Sequence, residues 1–327
     1  MKLDGFLAGV LIAVGLAFAA PQLGAGNGPL HMSLVTDLGI GLVFFLHGAA
    51  VSPDSLRSAA SKWRLHLFIQ ASTFVLFPIL GATIYFGLRP WISPELRQGL
   101  FYLCAVSSTV STSVAMTSLG RGDTAAALFN ATLSGLIGMV ATPLLMDLVM
   151  RAAAAPPPLL PQIIAIMGKL LAPFVVGHLA RPLLKRFLTE HKTLVNRADR
   201  LVILMIIYGA FCEAVASGVW VGRSLLELVE TVLLTGALLA CALTVTTLGS
   251  RALGFSREDE VAAVFCGSKK SLANGAPIAK VVFGASPALG LIVLPLLLYH
   301  QMQLIACSVL ARRYAARAKA EAFIQPG

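Results

Sequence analysis

The sequence predicts an all-α polytopic membrane protein with about ten transmembrane helices, arranged as two inverted repeats of about five helices each. Three observations predict this fold class. The composition is 57% hydrophobic and only 12% charged, long apolar runs recur along the whole chain, and two polar interruptions fall at corresponding positions of its halves. A soluble domain would carry about 25% charged residues. Core helices of a soluble protein could account for one or two such runs, but not for about ten.

The apolar runs define the predicted spans in order. Most reach or approach the roughly 20 residues that cross ~30 Å of hydrocarbon at about 1.5 Å per residue. The first run follows Lys2 as a signal peptide would, but Asp4 and the spans that follow directly favour a retained first helix. The runs are Phe6–Ala20, Leu38–Val51, Leu65–Leu88, Leu100–Leu119, Ala125–Met150, Ile163–Leu184, Leu201–Val219, Leu225–Leu248, Val261–Phe283 and Leu289–Leu310.

The net charge of +10 indicates orientation rather than a nucleic-acid partner. Cytoplasmic loops of membrane proteins carry an excess of Lys and Arg. With a cytoplasmic N-terminus, that side receives Lys2, Arg57, Lys62, Arg64, Arg121, Arg181, Lys185, Arg186, Lys192, Arg197, Arg200, Arg251, Arg257, Arg312, Arg313, Arg317 and Lys319, and the other side only Arg89, Arg97, Arg151 and Arg223. We therefore expect an integral plasma-membrane protein (inner membrane in a bacterium) with both termini cytoplasmic and with lipid as a partner. The oligomeric state is left open.

The halves are separated by a proline-rich linker at residues 151–161, which contains Pro156-Pro157-Pro158. It divides the chain into a first repeat, 1–150, and a second repeat, 162–327. Because each half has an odd number of predicted spans, the halves lie in the membrane with opposite topology, as in many secondary transporters.

The first polar interruption lies in span four, where Ser107–Ser113 contains six hydroxyl side chains in seven residues. Hydroxyls in transmembrane helices also bond their own i−4 carbonyl or join helices together, which is the simpler reading of one or two of them. An unwound helix here would instead offer hydroxyls and carbonyls to a cation, or amides to an anion. The candidate binding residues are Ser108, Thr109, Ser111, Thr112 and Ser113.

The second interruption lies in span nine, between Phe265 and Gly284. Its candidate residues are Ser268, Lys269, Lys270, Ser271 and Asn274, and the turn pair Asn274-Gly275 and Pro277 favour a break in the helix. Charges at membrane depth must face a cavity, an anionic ligand or a carboxylate partner. The alternative is that the span begins later and leaves both lysines in a cytoplasmic loop.

Other polar residues within spans complete the candidate set. Glu213 is the expected charge partner of a lysine or a proton carrier. Gln70 and Asn130 face either another helix or a cavity. Neither a metal-type cluster nor a nucleophile–base spacing is recognisable, so we expect no enzyme and no cofactor beyond a coupling ion.

At these residues the chain resembles the bile acid:sodium symporter superfamily, and more closely its divergent branch of solute carrier family 10 member 7 and bacterial relatives. The order of spans, the paired breaks and the segment from Gly267 to Pro277 carry the resemblance. It implies a panel domain of spans one, two, six and seven, a core domain of spans three to five and eight to ten, and spans four and nine that unwind and cross near the membrane centre. Carried over by position, the implied ion site falls near Gln70 or Thr73, Thr112-Ser113, Asn130 and Lys269-Lys270-Ser271.

One departure from the family pattern concerns sodium. Typical sodium-coupled members have a glutamate and a glutamine in span nine, where this chain has Lys269 and Lys270. A lysine ammonium could replace a bound cation and would repel a second one ~4 Å away by several kcal/mol at an effective dielectric near 20. A Na⁺ site near Thr112, Ser113 and Asn130 therefore stays in question.

The sequence thus predicts a secondary active transporter of a small organic solute. We expect an organic anion attracted to Lys269 or Lys270, moved by alternating access and coupled to Na⁺ or H⁺. The alternative is a membrane-embedded regulator of ion homeostasis that transports no solute itself.

Overall fold

A computed structural model of the chain describes residues 5–25, 28–50, 62–152, 160–222, 224–284 and 286–324, and this part is helical without a β-strand. Most of the predicted linker, and also Lys2, Arg57 and Arg223, lie outside the described residues. The helices are α1 (Gly5–Ala19), α2 (Pro21–Gly24), α3 (Met32–Ala50), α4 (Trp63–Gly87), α5 (Pro94–Ala105), α6 (Ser111–Leu119), α7 (Thr124–Ala152), α8 (Leu160–Glu190), α9 (Lys192–Ala216), α10 (Leu225–Ala252), α11 (Arg257–Gly267), α12 (Leu272–Phe283) and α13 (Leu289–Ile324).

Five of these helices are long and apolar enough to cross a membrane: Met32–Ala50, Trp63–Gly87, Thr124–Met150, Leu225–Ala252 and Leu289–Ala318. The shorter helix α1 is also apolar. Many of their large side chains are exposed, as expected of surfaces that face lipid, and Leu38, Leu148 and Leu233 are examples. The all-α fold class is thereby confirmed, while ten crossings in two inverted repeats remain a prediction.

The apolar runs predicted as spans four and nine are each divided into two short helices. Helix α5 ends at Ala105 and α6 begins at Ser111, while α11 ends at Gly267 and α12 begins at Leu272. Ser271 caps α12, because its Oγ accepts a hydrogen bond from the Asn274 amide at 3.1 Å. Asn274 and Pro277 lie inside α12 rather than in the break. Pro277 is the sixth residue of this helix, so it removes one helical hydrogen bond without ending the helix.

Helices α1, α3, α8 and α9 pack on one another, and α9 also contacts α12 and α13. Helices α3 and α8 approach through glycines, because a Cβ on Gly48 would overlap the carbonyl oxygen of Phe174, and one on Gly177 would overlap that of Phe45. Arg181 of α8 closes this crossing by donating to the carbonyls of Ala49 and Ala50 at 3.0 and 2.9 Å. Such small-residue crossings are typical of helix pairs in membranes.

An ion cluster joins three elements at one end of the bundle. The Lys62 ammonium, just before α4, lies 2.8 Å from the Asp123 carboxylate before α7 and 2.6 Å from the Asp259 carboxylate in α11. Partial burial lowers the pKa of Lys62, but hydrogen bonds and attraction from both carboxylates outweigh it, so the pKa lies above its ordinary value. For Asp123, burial raises the pKa, but Lys62 and amides of the following turn bring it below the ordinary value.

Candidate functional site

The two breaks lie against each other in the interior. The Ser271 amide donates to the Ser107 carbonyl at 2.8 Å, which links one break directly to the other. Hydroxyls of the first break then satisfy carbonyls at the end of α11, with Ser108 Oγ donating to Cys266 O at 2.7 Å and Ser113 Oγ to Phe265 O at 3.0 Å. Two of the six hydroxyls, those of Ser108 and Ser113, therefore join the two interrupted spans.

Lys270 is fully buried, and its ammonium donates to three backbone carbonyls. Nζ lies 3.1 Å from Thr73 O, 2.8 Å from Cys104 O and 2.7 Å from Val106 O. The Phe77 ring centroid is 4.1 Å from Nζ, within range of a cation–π interaction. A lysine ammonium has three N–H donors, so this set uses all of them. We call these three carbonyl oxygens the carbonyl cage.

The break after α5 frees two of the three carbonyls of the cage, those of Cys104 and Val106, to accept from Lys270. Unwinding at Val106 removes the helical donors of the last carbonyls, so each needs another partner. Thr142 Oγ1 donates to Ala105 O at 2.9 Å, Ser271 N donates to Ser107 O, and Lys270 serves Cys104 O and Val106 O. Four successive carbonyls, 104 to 107, are thus satisfied by three residues, one in α7 and two in the second break.

The third carbonyl of the cage comes from a π-helical turn in α4, Ser72–Leu76. In this turn the Phe77 amide bonds to Ser72 O, five residues back. The same spacing would pair Thr73 O with residue 78, which is Pro78 and has no N–H. The sequence therefore leaves the Thr73 carbonyl open to Lys270, in line with the frequent use of π-turns at functional sites.

The backbone of the second break is fixed by three side chains that sequence reasoning missed. The side-chain amide of Gln303 in α13 binds the backbone of Lys270 twice. It accepts from the Lys270 N–H and donates to the Lys270 C=O, each at 2.8 Å. The Tyr299 hydroxyl donates to Ser268 O, and the Tyr102 hydroxyl donates to Gly275 O. These three residues lie in apolar runs. The one pattern that could have predicted a site role is the helical spacing of Tyr299 and Gln303, which are four residues apart.

Lys269 points to a different neighbour. Its ammonium donates to Thr112 O in the first turn of α6 at 2.8 Å and lies 5.5 Å from the Phe265 ring. Lys269 is fully buried, as is Lys270, so neither lysine lies in an exposed loop. Within the described part of the chain, neither ammonium forms an ion pair. The partners of both ammonium groups in the described structure are backbone carbonyls rather than the expected carboxylate.

Gln70, Thr73 and Asn130 lie near one another on α4 and α7. Gln70 Nε2 donates to Asn130 O and Oδ1 at 3.1 and 3.3 Å, and Asn130 Nδ2 lies 2.8 Å from His66 Nδ1. Gln70 Oε1 is buried without a hydrogen bond. The Thr73 hydroxyl donates to Ile69 O at 3.0 Å, so its carbonyl, not its side chain, faces the lysine. His66 was not in the predicted set.

The remaining hydroxyl candidates differ in exposure. Ser111 is exposed, and Thr112 is partly buried, with its hydroxyl 3.4 Å from that of Thr109. Ser268 is buried, and its hydroxyl donates to Val264 O at 2.6 Å within α11. Asn274 Nδ2 donates to Ser107 Oγ at 3.1 Å, so Asn274 joins the breaks from inside α12.

Glu213 lies elsewhere, near the end of α9. It lines a cavity of about 110 Å³ that also receives Thr36 of α3 and Lys280 of α12, but neither Lys269 nor Lys270. The cavity is lined by α3 and α9 on one side and by α12 and the start of α13 on the other. It therefore combines a carboxylate, an ammonium and a hydroxyl beside the second interrupted span.

The described residues contain no group of three or more His, Cys, Asp or Glu side chains that could hold a metal ion. Three oxygens converge on one buried cation in the carbonyl cage, and Lys270 already fills it. An additional Na⁺ at the cage would meet the ammonium charge without a carboxylate to balance it. The residues present therefore do not fit a Na⁺ ion at the cage.

The comparisons with known proteins agree with this architecture. Residues 4–316 match the model of the SBF-like CPA transporter family. The chain is 43% identical over 314 residues to an uncharacterized protein of Pseudomonas aeruginosa, covering 96% of this chain and 93% of that protein. It is 41% identical over 312 residues to the Escherichia coli protein named "Putative symporter YfeH", covering 95% and 93%.

A vertebrate relative is also similar over nearly the whole chain. The sodium/bile acid cotransporter 7 of Danio rerio is 31% identical over 317 residues, covering 95% of this chain and 93% of the relative. The family match and these identities span almost the entire sequence. The chain therefore belongs to the SBF-like CPA transporter family, within the bile acid:sodium symporter superfamily, and it is a membrane transporter rather than an enzyme.

Proposed function

We propose that the protein is a secondary active transporter that moves a small organic anion by alternating access, coupled to Na⁺ or H⁺. The observation that carries the proposal is the contact of two interrupted spans around two fully buried lysines. Broken helices at membrane depth occur where they line a substrate or ion pathway, and ionisable residues there serve transport.

The cavity beside α12 is the candidate solute site. Its volume of about 110 Å³ suits a small molecule, and Lys280 supplies a positive group in it. Glu213 and the Thr36 hydroxyl offer further polar contacts on the opposite helices. Because Lys269 and Lys270 carry no paired carboxylate in the described structure, their charge also favours an anion nearby.

Alternating access follows from the predicted domains. We propose that α1, α3, α8 and α9 form the panel and that the remaining helices form the core. The cavity then lies between the two bodies, and rocking of one against the other would expose it to each side in turn.

The test is transport by the purified protein. A panel of small carboxylates, sulfonates and bile acids is first screened for stabilisation of the purified protein, and the anion that stabilises most is then followed into proteoliposomes. We expect accumulation that is driven by an imposed Na⁺ or H⁺ gradient. Uptake that neither gradient changes would exclude both couplings, and absence of any solute flux would favour the regulator of ion homeostasis.

The lysines provide the matching variants. Lys269→Met and Lys270→Met remove the charge at nearly constant volume, and we expect at least one of them to abolish uptake. Lys192→Met, at an exposed position of α9, is the control and keeps full uptake. Full uptake by both variants would show that neither buried lysine is needed for transport.

A further inference from the structure

We propose that the Lys270 ammonium is a tethered cation that fills a monovalent-cation site, so that the protein does not bind Na⁺ at its carbonyl cage. The inference deepens the proposed function. Only its consequence for ion coupling rests on that function. The cage itself, formed by the carbonyls of Thr73, Cys104 and Val106, is a property of the fold.

The first argument is the ligand set. Cation sites in transporters and channels are built from backbone carbonyls that replace the hydration shell of the ion. The cage supplies three such oxygens, 2.7–3.1 Å from Nζ of Lys270. Two come from an unwound helix end and the third from a π-turn, so these carbonyls are available because their own helices do not use them.

The second argument is charge. Cys104 and Val106 lie at the C-terminal end of α5, where the helix dipole favours a positive charge. The face of Phe77 adds a further attraction for a cation. With no carboxylate paired to Lys270 among the described residues, this environment suits one positive charge, and the ammonium supplies it.

The third argument is that Lys270 is held in place. Gln303 bonds to the N–H and the C=O of its peptide, and the side chain is fully buried. A lysine that only visited the cage would need neither this double contact nor a use for all three of its donors. The Lys270 side chain is therefore a fixed occupant of the cage rather than a mobile ligand.

The experiment replaces the tethered cation by a free one. Full-length protein in lipid nanodiscs is melted in increasing NaCl, with N-methyl-D-glucamine chloride keeping the ionic strength constant. The wild type should show the same melting temperature throughout. Lys270→Ala, which empties the space next to the cage, should melt lower without Na⁺ and regain several degrees in a saturable manner, because binding to the folded state alone stabilises it.

Two matched variants isolate the cage. Lys270→Met fills the space with an uncharged chain, and Lys269→Ala removes the neighbouring ammonium, so neither should respond to Na⁺. A saturable response of the wild type as large as that of Lys270→Ala would overturn the proposal. So would a folded Lys270→Ala protein that responds no more than Lys269→Ala.

A folding failure remains informative. If Lys270→Ala cannot be purified without Na⁺, Lys270→Ser, which adds a hydroxyl oxygen, is prepared in parallel with and without NaCl. Recovery of either variant only with Na⁺ supports the proposal, and recovery of neither with Na⁺ contradicts it. Since melting requires no solute, a negative transport result leaves this test unaffected.

Discussion

Lys269 and Lys270 are adjacent, yet their ammonium groups donate to different elements because the backbone between α11 and α12 is not helical. Lys270 reaches α4 and the end of α5, whereas Lys269 reaches α6. The polarity of the segment predicts a site, but not these partners. Whether a carbonyl is free depends on Pro78 and on the unwinding of a distant helix, and neither is visible in the spacing of the lysines.

At the residue scale, we predict that the tyrosine hydroxyls stabilise the second break by donating to its buried backbone carbonyls. Tyr299→Phe leaves the buried carbonyl of Ser268 without its donor, which should destabilise the protein by about 1–3 kcal/mol. The measurement is the midpoint of chemical unfolding in detergent. Tyr85→Phe, which keeps the ring that packs on Phe101, is the control and should cost clearly less.

The ion cluster predicts a pH dependence. The folded pKa of Asp123 is depressed, so its stabilising contribution is present above the unfolded pKa near ~3.9 and is lost as pH falls through the folded value. Asp123→Asn keeps an acceptor for the first turn of α7 but removes the charge. We expect it to melt lower at neutral pH, by an amount equivalent to about 1 kcal/mol or less because Lys62 is 42% exposed.

The difference in melting temperature between Asp123→Asn and the wild type should disappear at acid pH. Once the Asp123 carboxyl is protonated in both states, wild type and Asp123→Asn should melt together. Asp37→Asn, at an exposed position of α3, is the control and should follow the wild type at every pH. A difference that stays constant down to acid pH would show that the charge of Asp123 does not stabilise the fold.

At the scale of the element, the crossing of α3 and α8 depends on glycines that permit backbone contact. Gly48→Ala places a methyl group onto the Phe174 carbonyl, and Gly177→Ala does the same at Phe45. Because neither obstacle is a flexible side chain, the helices must separate, and we expect losses of about 1–3 kcal/mol typical of overpacking. Thermal melting in detergent is the measurement.

Neighbouring glycines give matched controls for that crossing. Gly41 of α3 and Gly168 of α8 have no atom within 4 Å of an added Cβ. Gly41→Ala and Gly168→Ala should be neutral or stabilising by up to about 1 kcal/mol, as helix propensity predicts. Equal losses of stability in all four variants would mean that Gly48 and Gly177 do not stabilise the protein by allowing α3 and α8 to approach closely.

The helical elements show what the sequence can and cannot predict. Hydroxyl clusters and the pair Lys269-Lys270 identified both breaks, because polar groups within apolar runs are conspicuous. The apolar runs underestimated helix lengths: α3 begins at Met32 and α13 continues to Ile324, since polar residues extend a helix beyond its apolar part. Tyr102, Tyr299 and Gln303 were missed because single polar atoms in apolar helices acquire a role only through tertiary contact.

At the scale of the whole molecule, the distribution of Lys and Arg predicts orientation. If both termini are cytoplasmic, a C-terminal green fluorescent protein fusion should fluoresce in a bacterial host, and a C-terminal alkaline phosphatase fusion should be inactive. The arrangement requires an even number of crossings. An active phosphatase fusion would contradict it and, with it, the predicted two sets of five spans.

The central claim is that two interrupted spans meet around a carbonyl cage that Lys270 fills. An experimental structure of the full-length protein in nanodiscs containing NaCl tests it most directly. We predict density for the Lys270 ammonium within hydrogen-bond distance of the carbonyls of Thr73, Cys104 and Val106, with no separate ion among them. A Na⁺ ion bound to these carbonyls, with the lysine turned away, would contradict the account.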